Sequence, residues 1–262
     1  MQYRKTCLCP LLTSVVLVSL FPAACVQQPA SPKKHDASSV DEKTATAESP
    51  ATAGDVEPPP MVEPPKPPTD EEQIKKIFQS FRSALTNGKG ENAADLVSAD
   101  TIERYQKQHD VAVSGDEATV KRLPIIDRMS VLLLRHQVFT EKLPAENLKV
   151  MDGRAVFAYS VNEGWIGKDS VMRAGLEQVV VSGDGKASAH LTMGGKLTPE
   201  EFHFLQENGS WRVNLVPTLE QAEKDCQGLA QSQGKSEDDY LFEAIKSLSG
   251  RDVDESIWKP LE

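Results

Sequence analysis

The sequence is poor in cysteine, in aromatic side chains and in positive charge. Its 262 residues include four cysteines, 6% aromatic residues and a formal net charge of -10. So few cysteines exclude a disulfide-dense scaffold, and the acidic balance argues against a protein that binds nucleic acid through a basic surface. Long apolar runs are also missing, which excludes a polytopic membrane protein.

Familiar catalytic and metal-binding motifs are missing as well. The sequence contains no GxxxxGK[ST], HExxH, CxxC or GxSxG motif and no calcium-binding loop. Each of these motifs places particular side chains or backbone groups around a phosphate, a metal or a reacting carbonyl. The sequence therefore predicts no cofactor and no resident metal, and it does not indicate a particular reaction.

The N-terminus has the layout of a signal peptide. Arg4 and Lys5 are the only charged residues among the first 25, and an apolar run of 11 residues, Leu11–Phe21, follows them. A basic start, a short apolar core and small residues before a cleavage point are typical of an export signal. Eleven residues fall short of the about 20 that a membrane-spanning helix needs. We expect residues 1–24 to be removed.

Cys25 follows Ala23 and Ala24, and this sequence resembles the lipobox of bacterial lipoproteins. The resemblance implies that the Cys25 thiol is diacylated and that the chain is then cleaved before it. Acyl chains on Cys25 would hold the protein to a membrane. Pro22 departs from the aliphatic residue usual in that family, so ordinary signal cleavage or a retained signal anchor are the alternatives.

The remaining cysteines give no disulfide framework. Cys7 and Cys9 lie within the signal, so the mature chain would keep Cys25 and Cys226. If Cys25 is a thioether, Cys226 has no partner, and the domain must be stabilised by its core. The acidic neighbours of Cys226 favour a small buried side chain over a reactive thiol.

Residues 25–69 are predicted to be a lipidated cysteine followed by a proline-rich disordered tether. The 44 residues Val26–Thr69 contain ten prolines and no Leu, Ile, Phe, Tyr or Trp. Such a segment cannot bury enough apolar surface to offset the entropy of ordering it. We interpret it as a solvated spacer, and a proline-rich ligand for a partner protein is the alternative.

Residues 70–262 are predicted to form a single α+β globular domain whose first half is helical. Thr69 and Glu72 make a capping box before an apolar pattern of helical spacing, which Asn87-Gly88 ends. Further helices are predicted over 91–97, after Ser98, after a capping box of Ser114 and Glu117, and from Pro124.

The second half changes to the alternating pattern of strands. Strands are predicted over 178–181, 187–193, 202–206 and 211–215, with turns at 183–185 and 208–209. One face is apolar throughout and is expected to be buried, while the other carries Ser188, His190, Thr192, Glu201 and His203. Helices over 219–231 and from Ser236 to Gly250 follow. The prediction is N-terminal helices packed on a curved antiparallel sheet of about four strands, with a helical C-terminal extension.

Two segments resemble the nuclear transport factor 2-like superfamily. They are the helical run Phe78–Leu85 with the following Ala93–Ser98, and the Asn208–Val213 hairpin, which is similar to the last strand pair of that superfamily. The resemblance covers about 70–220 and implies a cone-like domain around an apolar pocket. Some members are enzymes and others only bind or dimerise, so the fold does not choose between these roles.

Three helix-borne side chains are the candidates for catalysis. Tyr105 and His109 are four residues apart and share a helix face, and Asp127 begins a neighbouring helix. Together they could form an acid–base group at the mouth of a cone. The alternative is a core tyrosine with a surface histidine. His136 is a fourth possible member of the group.

For the other candidates a structural explanation is favoured over a functional one. His190 and His203 lie on the same sheet face, but two histidines without a third ligand are a weak metal signal. Trp165 could be a rim aromatic of a pocket or a plug at the edge of the core.

The sequence thus predicts a lipid-anchored cell-envelope protein on the periplasmic side of a bacterial membrane, with the outer membrane favoured over the inner one. Its role is expected to be non-catalytic binding of a protein partner or a small apolar ligand, because the predicted inner sheet face carries no Asp, Glu or His. The alternative is a cone-pocket hydrolase or isomerase acting on a small apolar molecule.

Overall fold

A computed structural model describes residues 67–166 and 171–261. The signal peptide, Cys25 and nearly all of the predicted tether lie outside the described residues. The helices before the sheet are α1 (Asp70–Thr86), α2 (Gly90–Ala94), α3 (Ala99–Ser114), α4 (Glu117–Lys121), α5 (Ile125–Phe139), α6 (Ala145–Lys149) and α7 (Gly153–Asn162). The strands are β1 (Ala174–Ser182), β2 (Lys186–Met193), β3 (Lys196–Glu207) and β4 (Ser210–Asn214), followed by α8 (Val216–Ser232), α9 (Glu237–Ser249) and a 3₁₀ helix (Glu255–Trp258).

The described chain is an α+β domain, as the sequence predicts. Its four strands form one antiparallel sheet in the order β1-β2-β3-β4. Consecutive strands pair because short turns join them, and Asn208 and Gly209 both adopt the positive φ that a tight hairpin requires. Residues 96–98 add a parallel bridge to the outer edge of β4, since Ser98 N–H donates to the Val213 carbonyl at 2.8 Å.

Helix α1 lies against the apolar face of the sheet. The predicted Thr69–Glu72 capping box starts the helix, and buried residues then recur along one of its faces. The Phe78 ring meets the Phe202 ring edge-on at 5.2 Å. The indole N–H of Trp211 donates to the Asp70 carboxylate at 2.9 Å, which fixes the first turn of α1 over β4.

The alternation of the strands is confirmed except near one bulge. Phe202, Phe204, Trp211 and Val213 are all buried, as the predicted inner face requires. Thr192, which is predicted to face solvent, is buried. Met193, which is predicted to face the core, is only partly buried. A register shift between His190 and Thr192 interrupts the alternation there.

Several predicted helix boundaries need correction. The predicted Ser114–Glu117 capping box is wrong, because Asp116 caps α4 and its carboxylate accepts from Thr119 N–H at 2.8 Å. The helix predicted over 91–97 forms as α2, which is shorter and spans Gly90–Ala94.

Helix α7 is not among the helices that the sequence predicts. It begins at Gly153, where a Cβ would lie 2.5 Å from the Ile102 carbonyl oxygen, so the close crossing with α3 requires glycine.

Helix α5 is the centre of the helical layer, and Arg135 fixes its position. Arg135 is fully buried, and its guanidinium donates only to backbone carbonyls. The five acceptors are the carbonyl oxygens of Val111, Ala112, Gly115, Ile257 and Trp258. Three of them belong to the end of α3 and two to the 3₁₀ helix. Helix ends leave carbonyls that the helix itself does not pair, although the Val111 carbonyl also accepts from Gly115 N–H at 2.9 Å. The positive charge also faces the negative end of the α3 dipole.

We expect replacement of Arg135 by methionine to lower the free energy of unfolding by about 3 kcal/mol or more, because carbonyls at the end of α3 and in the 3₁₀ helix lose the donors that Arg135 supplies. Replacement by lysine should cost less, since an ammonium keeps three donors. Urea unfolding followed by circular dichroism measures both changes. Arg122→Met is the matched control, because Arg122 is exposed and should change stability by less than about 0.5 kcal/mol. Equal stability of the Arg135→Met and Arg122→Met proteins would contradict this account.

Candidate functional site

The three proposed catalytic side chains do not converge on one cavity. Tyr105 lines a small internal cavity, while Asp127 lines a separate groove at the surface between α3, α5 and α8. His109 lines neither and is held against α6. An acid–base mechanism needs its groups within hydrogen-bond reach of one reacting atom. The geometry therefore gives no support to a joint catalytic role.

Tyr105 is a core residue. It is 5% exposed, and its ring meets the Phe157 ring edge-on at 5.1 Å. Burial raises the pKa of its hydroxyl well above the ordinary value, so it stays protonated at neutral pH. The cavity beside it has a volume of about 80 Å³ and is mostly apolar, with Trp165 in its wall. That volume is far below the roughly 300 Å³ at which ligand sites begin.

Both nitrogens of the His109 ring have partners within the protein. Nε2 lies 2.9 Å from the Leu148 carbonyl oxygen, so this nitrogen must carry the proton. Nδ1 lies 3.2 Å from the Asp110 carboxylate and 3.4 Å from the Gln106 side-chain nitrogen. The Nε2 contact joins α3 to α6, the Nδ1 contacts lie within α3, and together they leave the ring no free nitrogen for a substrate.

Asp127 also has hydrogen-bond partners within the protein. Its Oδ1 accepts from Arg104 Nε at 2.7 Å and from Gln108 Nε2 at 2.6 Å, with 15% of its side chain exposed. A carboxylate paired with a guanidinium is a poor general base because its charge is already stabilised. His136 is buried and its Nε2 lies 2.9 Å from the Ser249 hydroxyl, which connects α5 to α9. Burial lowers the pKa of His136, assisted by the charges of Lys142 and Arg251.

The two sheet histidines lie on neighbouring strands but are offset. In the register of β2 and β3, His190 faces Glu201 and His203 faces Ser188. His190 Nε2 is 3.7 Å from the Glu201 carboxylate. Within residues 67–166 and 171–261, no group of three or more His, Cys, Asp or Glu side chains is placed to hold a metal ion.

A cleft between β3 and α8 is the more promising site. Its volume is about 510 Å³, within the range of roughly 300 to 1,000 Å³ typical of small-molecule sites. The β-strand residues in its wall are Leu191, Pro199, Glu200, Glu201 and His203. The wall from α8 consists of Pro217, Thr218, Gln221, Ala222 and Asp225.

A bulge in β3 shapes this cleft. His190 pairs with Glu201 and Thr192 pairs with Leu197, so residues 198–200 all lie opposite Leu191. Pro199 has no N–H to contribute to the ladder, and the Thr198 hydroxyl donates to the Leu191 carbonyl at 3.0 Å instead. The bulge breaks the alternation and places Glu200 and Glu201 together on the cleft wall.

Two buried polar atoms of this wall lack hydrogen-bond partners. Glu200 Oε2 and Thr218 Oγ1 are both inaccessible to solvent and make no hydrogen bond within the described part of the chain. Buried polar groups in folded proteins are almost always paired, so such atoms are unusual, but because solvent does not reach them they are not presented to a ligand in the open cleft. None of the other unpaired atoms lies in the lining of the grooves beside α1 or α3. Sequence patterns gave no sign of the cleft, since Pro199 lies between the predicted strands 187–193 and 202–206.

In comparisons with known proteins, no family model, no curated protein and no solved structure matches the chain. The resemblance to the nuclear transport factor 2-like superfamily and to lipoproteins therefore stays a prediction from the sequence. Among the helices that the structure describes, none is long and apolar enough to cross a bilayer.

Cys226 is buried in α8, as the sequence favours. Burial, followed by the charge of Asp225, raises the pKa of its thiol to about 11, and a hydrogen bond with Tyr240 opposes this shift only in part. A thiol reacts through its thiolate, so this cysteine should be inert at neutral pH.

We expect iodoacetamide at pH 8 to leave Cys226 unmodified in the folded protein and to modify it in urea, with the other three cysteines replaced by serine. Moving the thiol to the exposed Gln227 position, in a Cys226→Ala, Gln227→Cys protein, should restore rapid labelling. Because the folded pKa is raised, the stability that the protonated thiol contributes is full below pH 9 and declines between pH 9 and about 11. Labelling of native Cys226 at the rate of the Gln227→Cys thiol would contradict the buried assignment.

Proposed function

We propose that this protein is an exported, membrane-anchored binding domain that holds a small molecule in the cleft between β3 and α8. The observation that carries the binding role is the cleft itself, whose volume of about 510 Å³ lies within the range of small-molecule sites and whose wall combines apolar with polar side chains.

Binding without chemistry is favoured over catalysis for a geometric reason. Tyr105, His109 and Asp127 serve three different contacts, and both ring nitrogens of His109 and the Oδ1 atom of Asp127 have partners within the fold. The cleft has carboxylates and one histidine, His203, but none of the three proposed catalytic residues. The enzyme alternative therefore loses the residues on which it rests.

The anchoring part of the proposal rests on the sequence around Cys25. The apolar run, the two alanines and the cysteine support export followed by acylation. The proline-rich segment 26–69 supports a spacer that keeps the domain away from the bilayer, since proline-rich chains extend by about 3.1 Å per residue. We place the domain on the periplasmic side of a bacterial membrane, the outer one in preference.

The anchor is tested by metabolic labelling with an alkyne fatty acid. We expect the natural chain to incorporate the label and to fractionate with membranes, and the Cys25→Ser chain to do neither, because two acyl chains are what stable anchoring requires. Cys226→Ser is the matched control and should label like the natural chain. Equal labelling of the Cys25→Ser chain, or a mature product that begins at another residue, would refute the anchor.

The cleft is tested with a neutral amphiphilic probe, hexan-1-ol. We expect it to shift the backbone amide resonances of residues 199–203 and 217–225 in NMR spectra, because the cleft offers both apolar and polar walls. Gln221→Trp, at an exposed position of the lining, should abolish these shifts by filling the cleft. Gln231→Trp, at an exposed position on the same helix that does not line the cleft, should leave them unchanged. Shifts that are absent, or that survive Gln221→Trp, would remove the binding role.

A further inference from the structure

The two edges of the sheet differ in how they are covered. At the β4 edge, Ser98 N–H donates to the Val213 carbonyl and Val213 N–H donates to the Leu96 carbonyl, both at 2.8 Å. At the β1 edge, the Arg82 guanidinium donates to the Ala174 carbonyl at 2.5 Å, which covers only the start of the strand. Among the described residues, the remainder of β1 has no such cover and is therefore the open edge of the sheet.

The hydrogen-bond register shows which backbone groups of β1 are free. The Gly185 carbonyl accepts from an N–H of β3 at 2.8 Å, so the odd-numbered residues of β2 bond to β3 and the even-numbered ones bond to β1. Val180 is paired with Ser188, which belongs to the even set. The backbone groups of its neighbours, Val179 and Val181, consequently point away from the sheet. Within the described part of the chain, neither valine has a backbone hydrogen bond outside the β1–β2 ladder.

The side chains along this open edge are apolar. Val180 is 60% exposed, Val181 is 41% exposed, and the segment Gln178–Ser182 carries no charge. Exposed edges of natural sheets are usually protected by lysine, proline or an inward-pointing charge. Here a bulge before Val180 and the turn after Ser182 limit the unprotected stretch to three valines.

A second copy of the chain fits this edge because the stretch is symmetric about Val180. In an antiparallel pair with its twofold axis at Val180, the outward groups of Val179 meet those of Val181 of the second copy, and the reverse contact is identical. Val180 then lies opposite its own counterpart on the solvent face, and the other valines pair on the opposite face. Glu177 lies beyond the bulge, so no like charges are opposed.

We infer that two copies of this chain associate by antiparallel pairing of their β1 strands, which joins two four-stranded sheets into one. Because the β4 edge is already covered, the pairing closes at a dimer and does not continue into a fibre. A ladder of three valines is small beside the roughly 800 Å² per partner of a stable interface, so the dimer is weak and concentration-dependent. β1 contributes no residue to the cleft, and this inference does not depend on the proposed binding role.

Disulfide trapping tests the position of the twofold axis. The background is the full chain with Cys7, Cys9 and Cys25 replaced by serine. The Cα atoms of a directly opposed pair without hydrogen bonds lie about 4.5 Å apart, within the range of a disulfide. We expect Val180→Cys to form a linked dimer at least about tenfold faster than Ser182→Cys in a glutathione buffer, as measured by non-reducing electrophoresis. Ser182 is also exposed on β1, but its two copies would lie about 14 Å apart.

Charge at the axis tests the same contact independently. In the same background, sedimentation velocity should show an average mass that rises from monomer toward dimer between about 10 µM and 1 mM. Val180→Lys and Val180→Glu should each lower the association constant by about tenfold or more, because each opposes two like charges, and equimolar mixing of the two variants should restore association. Val150→Lys is the matched control and should leave association unchanged, because Val150 is 84% exposed and lies outside the sheet.

Three results would overturn the inference. A chain that stays monomeric at about 1 mM excludes self-association and leaves the edge to a strand of another protein. Association that survives Val180→Lys, or equal cross-linking of Val180→Cys and Ser182→Cys, places the contact elsewhere. A native circular dichroism spectrum of each variant excludes unfolding as the cause, and the two cysteine variants decide the outcome if the lysine variant does not fold.

Discussion

A buried guanidinium surrounded only by backbone carbonyls holds the helical half of this domain in place. Apolar contacts are not directional, although close packing already resists sliding of α5 against its neighbours. Arg135 adds directional hydrogen bonds, since its five N–H groups donate to carbonyls at the end of α3 and in the 3₁₀ helix. Two further polar residues of α5 add to this effect. Arg128 pairs with Glu237 and Asp238 at the start of α9, and His136 meets Ser249 at its end.

Local signals in the sequence predicted the α+β class and most of its elements. Caps such as Thr69, Ser98 and Ser236 act within a few residues, so their helices begin where the sequence indicates. These local signals did not predict the elements whose position depends on contacts between distant parts of the chain. Helix α7 forms a close crossing with α3 that no local pattern encodes, and Asp116 competes successfully with Ser114 for the start of α4.

The candidate site was harder to predict for the same reason. Helical spacing correctly places Tyr105 and His109 on one buried face, but spacing does not show that the Leu148 carbonyl lies beside the imidazole. The cleft depends on a strand bulge and on the path of α8 across it, both of which are long-range properties. Pro199, which interrupts strand pairing, lies between two predicted strands, so the strand prediction gave no sign of the bulge. Residues capable of binding or catalysis can therefore be identified in a sequence, but only the fold shows which of them lie close together.

The bonds of Arg135 to Ile257 and Trp258 span more than 120 positions of the chain. During synthesis, this arginine leaves the ribosome long before its last two acceptors exist. The helical layer consequently cannot reach its final packing on a nascent chain, however stable its individual helices are. If the protein is exported, as we propose, this delay would leave the helical layer incompletely packed during translocation, and the 3₁₀ helix Glu255–Trp258 would complete the packing afterwards.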